Sequence, residues 1–402
     1  MRDHKGSYSG EAAGPSLCGM TESGNGAAHE VDTLVIGASA AGLAAAACLK
    51  ERGVDLEIVD AADQVGTAWR HHYDRLHLHT PKSASTLPGL PMPSDWPRYP
   101  SRDQVVQYLE HYAGHHGLTP RFGTEVTRLE RVDGRWVATT SSGEWRAQHV
   151  VVATGATRRP VRPTWPGAES YTGDLLHSSE YINGERWRSG KVLVVGFGNS
   201  ACEQAIDLVE RGVSTHMAVR SPVNVLPRDV FGLVPVLQLG IVMRRLPPKL
   251  ADLMAAPMVA LTVGDVAKGT GLQKLPYGPN TQIAQDRSIP LLDIGTMDHI
   301  RAGRIRVHPG IERFTETGVV FTDGTWIDVD AVVLATGYEP ALADFLPEWR
   351  AVCDDTGRPR ISGGPTALPG LYFCGQYVAP SGMIREMGIE AQRIAADIAG
   401  PA

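Results

Sequence analysis

The sequence has no C-x-x-C pair. Its five cysteines, Cys18, Cys48, Cys202, Cys353 and Cys374, are scattered and odd in number. That pattern gives neither a zinc site nor a disulfide framework, and a reducing cytoplasmic setting is expected. Long hydrophobic runs are also missing. The most apolar stretch, Val230 to Met243, is too short to span a bilayer and is followed by Arg244-Arg245. It is expected to pack within the protein or line a pocket, with surface membrane contact as the lesser alternative. No sign of charge dominates: 38 Lys and Arg face 44 Asp and Glu, so neither nucleic acid nor an anionic membrane is implied. Residues 1–30 have no periodicity and no apolar core. Rich in Gly, Ser, Ala and Glu, they read as a disordered leader without a secretory signal.

What the chain does have is glycine at two telling places. Gly37-Ala38-Ser39-Ala40-Ala41-Gly42 follows the apolar run Val31 to Ile36, and Gly196-Phe197-Gly198-Asn199-Ser200-Ala201 follows Lys191 to Val195. Each reads as a buried strand, a tight turn and the start of a helix, the layout that sets a pyrophosphate on backbone N–H groups. The first turn carries Ser39 in place of its middle glycine; the second ends on Ala201, which the fingerprint allows. The first unit then reaches an acid, Asp60, and the second a base, Arg220. An acid there suits a free ribose 2′-OH and an arginine a 2′-phosphate, so FAD with NADPH is the natural pair.

The 402 residues suffice for two or three domains. Each unit is followed by strand-rich sequence that closes on Ala-Thr-Gly, at Ala153-Thr154-Gly155 and at Ala335-Thr336-Gly337, and Asp323-Gly324 signals a hairpin. The predicted fold is α/β, with two Rossmann-like dinucleotide-binding domains, each with a β-meander. The NADPH domain (164–337) is inserted into the FAD domain (31–163 and 338–402). Gly388 to Ile398 reads as a helix covering the first cofactor, and about 230–290 as a substrate-access segment.

Between the turns, Tyr171-Thr172-Gly173-Asp174-Leu175-Leu176-His177-Ser178-Ser179-Glu180-Tyr181 resembles the F-x-G-x-x-x-H-x-x-x-(Y/F) signature of the flavin-containing monooxygenases, with Tyr for the leading Phe. Ala335-Thr336-Gly337-Tyr338 matches their closing A-T-G-Y. Within that family the chain is most similar to the YUCCA type, which converts indole-3-pyruvate to indole-3-acetate. Tyr73 to Lys82, Lys191 to Ser200, Val219 to Asp229 and Leu292 to Gly295 carry that similarity.

The resemblance implies hydride transfer from NADPH to FAD, then reaction of reduced FAD with O2 to a C4a-(hydro)peroxide that must be kept from water. It assigns Gly37, Ser39, Gly42, Asp60, Trp69, Val126, Thr154, Gly155 and Gly375 to FAD. Gly196, Gly198, Asn199, Ser200, Arg220, Ser221, Thr336 and Gly337 fall to the nucleotide side. His79 is expected at the flavin as a catalytic residue, with Asn199 and Lys82 beside it, and His177 is expected to order the linker. His71, His72, His77 and His79 lack the Cys or carboxylate of a familiar metal spacing, so no metal is expected. Lys274 and Arg287 are alternative cations for a substrate carboxylate. The expected partners are a small molecule and O2, in a monomer or homodimer. N-hydroxylation, S-oxidation, Baeyer–Villiger oxygenation, or a reductase without oxygenation are the competing readings.

Overall fold

The computed structural model describes residues 29–243, 246–377 and 381–400. The expected leader falls almost wholly outside the described residues, as do Cys18 and Arg244-Arg245. Its last two residues are a correction: His29 and Glu30 already belong to the first strand, His29–Ile36, paired with Trp145 and Arg146. His29 also stacks on the Trp145 ring at 4.5 Å, which recruits a polar end into the sheet.

Two sheets organise the chain. The first runs Leu56–Val59, His29–Ile36, Gly143–Val152, Arg135–Thr140, Val126–Val132. Gly143–Val152 is long enough to serve two neighbours on one side. Its first half pairs antiparallel with Arg135–Thr140, and its second half takes Leu371–Phe373 in parallel. The meander is thus fused to the parallel sheet.

The second sheet is wholly parallel, in the order Ile305–His308, Ser214–Ala218, Lys191–Val195, Ala331–Leu334, Asp174–His177. Its central residues Val192, Leu193 and Val194 are fully buried, as a strand covered on both faces must be. Its meander, Ile311–Phe314, Gly318–Phe321 and Trp326–Asp328, stands as a separate three-stranded sheet around the Asp323-Gly324 turn. The chain therefore leaves the first sheet, builds the second and returns with Leu371–Phe373. The two passages between the sheets pair with each other, Arg159–Pro160 against Tyr338–Glu339.

Helix Ala40–Glu51 is buried from Ala40 to Leu49, and so is apolar all round. The tail helix, Met383–Ala399, begins five residues before the expected start and packs Ala391, Ile394 and Ala395 into the same core. Helix Arg102–His115 closes that core. It starts at a reciprocal cap, with the Ser101 hydroxyl accepting from Gln104 N–H and the Gln104 amide oxygen accepting from Ser101 N–H. Segment 230–290 forms helices Val236–Met243, Pro248–Thr262 and Pro279–Asp286. Among the described residues, no helix is long and apolar enough to cross a membrane.

Candidate active site

The two glycine turns adopt the same geometry. Gly37 and Gly196 have φ of +116° and +123°, and a Cβ on either would sit 2.6 Å from a carbonyl oxygen, of Ala153 and Ala335 respectively. Only glycine lets each turn lie against the closing Ala-Thr-Gly strand end. Gly42 serves the helix instead. A Cβ there would lie 1.8 Å from the Gly37 carbonyl oxygen, so its absence seats the helix on the turn.

A cavity of about 280 Å³ opens at the first turn, lined by Gly37, Ser39, Asp60, Val126 and Thr154. Asp60 accepts from Ala38 N–H at 2.5 Å and Ala62 N–H at 2.8 Å, which fixes its carboxylate at the strand end. Ser39 caps the helix without spending its hydroxyl on it, and the buried Thr154 hydroxyl has no partner. Free hydroxyls in a cradle that a Cβ would fill fit a dinucleotide. A second cavity, about 500 Å³, opens at the other turn and is lined by Gly196, Gly198, Arg220, Ser221 and Thr336. A Cβ at Gly198 would meet nothing within 4 Å, and Arg220 has no ion pair among the described residues. An unoccupied guanidinium beside an open turn fits a phosphorylated dinucleotide.

Between the turns lies a third cavity, about 260 Å³ and mostly apolar. Trp69, Leu78 and His79 wall it from the first unit, Asn199 and Leu292 from the second, and Met383 and Met387 from the tail helix. Val236, Leu237 and Met243 of the apolar stretch face it too. Asn199 is held by accepting Leu292 N–H at 3.0 Å. His79 Nε2 pairs with Glu203 Oε1 on the helix that follows the second turn, Asn199–Glu210. Their side chains are only 12% and 3% exposed, so the contact is shielded from water. His79 Nδ1 and Glu203 Oε2 are both buried without partners. Tyr73 lies beside Ser200 and Glu203; burial, reinforced by the Glu203 carboxylate, pushes its phenol well up and keeps it protonated.

Several expected positions fall elsewhere. Lys82 does not line the cavity. Its ammonium donates to the carbonyls of Pro93 (3.1 Å), Ser94 (2.6 Å) and Trp96 (2.5 Å), so it clasps a loop and leaves the catalytic set. Ser200 turns to Tyr73 rather than to the nucleotide cavity, and Asn199 sits on the apolar cavity's side. Gly375 donates its N–H to Glu390 at 2.6 Å and packs on Ala41, while Gly155 lies just past the first cavity's wall. Thr336 spends its hydroxyl on the Val161 carbonyl at 2.5 Å, and the Gly337 carbonyl accepts from Val161 N–H and from His177.

That last bond gives the signature its structural sense. His177 Nδ1 accepts from Ser179 N–H at 3.1 Å, which leaves Nε2–H to donate to Gly337 at 3.1 Å. Burial holds this imidazole below its usual range, so it is a neutral tie between the end of strand Asp174–His177 and the chain that leaves the second sheet at Gly337. Tyr181 similarly donates to Asp207 at 2.6 Å. Of the four histidines considered for a metal, His77 bonds the Arg75 carbonyl and His79 bonds Glu203. Among the described residues, no group of three or more His, Cys, Asp or Glu could hold a metal. Lys274 and Arg287 line two different cavities that both border the apolar one, the first with Asp252 and Asp265 in its wall and the second with Arg358 and Arg360. Glu203 and Tyr73 escaped sequence reading. The available signal was three polar residues, Glu203, Gln204 and Asp207, on the buried side of one helix.

Residues 34–230 match the model of the pyridine nucleotide-disulphide oxidoreductase family. The chain is 40% identical over 319 residues to indole-3-pyruvate monooxygenase YUCCA1 of Oryza sativa subsp. japonica, covering 78% of each chain. It is 36% identical over 390 residues to indole-3-pyruvate monooxygenase YUCCA8 of Oryza sativa subsp. indica, covering 91% of this chain and 90% of the relative. A flavin-containing monooxygenase from Stenotrophomonas maltophilia shares the fold, with TM-score 0.71 at 24% identity, over 92% of this chain and 98% of that one.

Proposed function

The chain belongs to the YUCCA-type family of flavin-containing monooxygenases, FAD- and NADPH-dependent oxidoreductases, and on that premise we propose that it oxidatively decarboxylates an aromatic 2-oxo acid, indole-3-pyruvate foremost. The net reaction takes the 2-oxo acid, O2, NADPH and a proton to the acid one carbon shorter, CO2, water and NADP+. The observation that carries this reading is the apolar cavity placed between two dinucleotide cradles and walled by residues of both units.

In this proposal Gly37, Ser39, Asp60 and Thr154 hold FAD, with Trp69 packed at the edge of the third cavity. Gly196, Gly198, Arg220 and Ser221 hold NADPH. Bound flavin supplies hydride acceptance and the activation of oxygen. The protein supplies the rest. Leu78, Leu237, Leu292 and Met387 exclude water from the reacting centre. Glu203 sets the proton on His79 Nε2, leaving Nδ1 as a proton acceptor in the cavity wall. Asn199 ties the second turn to the wall of the cavity, so that both units shape one chamber.

A disulfide reductase is poorly served by the cysteines among the described residues. Cys48, Cys202, Cys353 and Cys374 are all buried and unpaired, and burial pushes every one of these thiols up, to about 11 for Cys48 and Cys353. The test is to supply flavin-loaded protein with NADPH, O2 and indole-3-pyruvate and to measure indole-3-acetate and CO2. Oxygenation of amines or sulfides with no 2-oxo acid turned over would overturn the substrate assignment.

A further inference from the structure

The apolar cavity has no lysine or arginine among its described lining residues. A 2-oxo acid carries a carboxylate, and burying that charge unpaired is costly. A neighbouring cavity of about 300 Å³ shares Met243, Asn280 and Ile283 with the apolar one, and its wall carries Arg287, Arg358 and Arg360. Arg287 pairs with Asp354 at 2.8 Å, and Arg358 Nη1 donates to the Arg287 carbonyl at 3.4 Å, which ties two of the three together. Among the described residues Asp354 is the one carboxylate paired with this trio, so positive charge is in excess. The same wall holds Gln376, which is 9% exposed and has both amide atoms buried without partners. Behind it Glu390 accepts from Ser362 and from Gly375 N–H, and burial raises its pKa, which weakens its claim on the arginines.

We infer that this second cavity is a carboxylate subsite: the substrate's ring occupies the apolar cavity while its carboxylate meets Arg360, Arg358 and the Gln376 amide. The inference rests on the proposed 2-oxo acid activity for its ligand class, and it favours the arginine wall over Lys274, whose cavity also borders the apolar one at Ala255 and Pro279 but carries the carboxylates Asp252 and Asp265. Two charge-assisted contacts at a partly exposed site correspond to roughly a 5- to 30-fold preference for acid over a neutral isostere.

The experiment measures binding of indole-3-acetate and indole-3-acetamide to the flavin-loaded protein by equilibrium dialysis, alongside turnover of indole-3-pyruvate. The proteins are the wild type, Arg360→Gln, Arg360→Lys and the double variant Arg358→Gln/Arg360→Gln. Arg360 is exposed and without an ion pair among the described residues, so its replacement keeps the fold, which the thermal midpoint checks. The expected result is tighter binding of the acid than the amide, a gap that narrows in Arg360→Gln, closes in the double variant and is largely kept in Arg360→Lys, with amide binding unmoved. Equal binding of acid and amide by the wild type, or a gap that survives the double change, overturns the subsite even if indole-3-pyruvate is turned over. If no 2-oxo acid is turned over yet the gap exists and closes, the subsite stands and the proposed activity falls.

Discussion

Glu203→Gln is the most discriminating single change in this protein. The glutamine keeps the shape of the glutamate and leaves an oxygen that can still accept from His79 Nε2. What it removes is the charge. A hydrogen bond to a charged group is worth about 1.5–3 kcal/mol against about 1 kcal/mol for a neutral one, so the hold on the imidazole weakens by about 1–1.5 kcal/mol. That is about a tenfold fall in the equilibrium constant that favours His79 with Nδ1 free. Global stability should fall by a similar amount, about 1–1.5 kcal/mol, because the weakened contact belongs to the folded state. The assay is product formed per NADPH oxidised, with flavin content and urea midpoint measured on the same preparation. Coupling should fall several-fold while flavin reduction by NADPH stays near the wild-type rate. Glu203→Ala should lower coupling further and also cost about 1–3 kcal/mol of stability. Wild-type coupling in both variants would return His79 and Glu203 to a purely structural bridge.

Arg220→Ala should raise KM for NADPH by roughly 10- to 100-fold and leave KM for NADH within a few-fold, since only the 2′-phosphate contact is lost; equal losses for both coenzymes refute the assignment. Lys82→Met should lower stability by about 1–3 kcal/mol, read from urea unfolding, with coupling of the folded protein unchanged, because its three carbonyl acceptors are structural. Acid should weaken the second sheet. His216 Nδ1 lies 2.8 Å from His308 Nε2, and burial, followed by the His308 charge, pushes His216 down to about 4. Its folded pKa is below the unfolded 6.5, so the unfolded chain takes the proton first and stability is intact above pH 6.5 and falls between pH 6.5 and 4, by about 3 kcal/mol in full. Urea midpoints should drop between pH 7 and 5, and His216→Phe should flatten that slope; a slope that His216→Phe leaves unchanged contradicts the assignment.

The glycine turns were legible because everything that defines them is local. A strand, a left-handed glycine and a helix start fit in a dozen residues, and the two copies superpose in φ as they do in sequence. The meanders were legible for the same reason, as patterns repeated along the chain. The start of the strand at His29 was missed because it pairs with and stacks on a tryptophan 116 positions away, and two polar residues at a strand end give no alternation to read. Lys82 was misassigned because backbone carbonyls carry no residue identity. A loop that presents three of them to one ammonium looks, in sequence, like any proline-rich loop.

The chemistry-bearing contacts share a deeper reason for escaping notice. His79 and Glu203 are 124 positions apart and come from different units, and Arg287 joins Arg358 only after the chain has completed the second sheet and turned back. The imidazole at the apolar wall comes from one unit and the buried carboxylate that meets it from the other. The paired crossing strands Arg159–Pro160 and Tyr338–Glu339, pinned by the neutral His177, set how the units meet. The signature motif between the turns is therefore legible as sequence yet acts at a distance. It contributes no group to the cavity and braces the helix that carries Glu203, through Gln204 to the Ser178 carbonyl and Tyr181 to Asp207. A change that loosens that tie should damage coupling before it damages either dinucleotide cradle, because each cradle is built within one unit and the chamber is not.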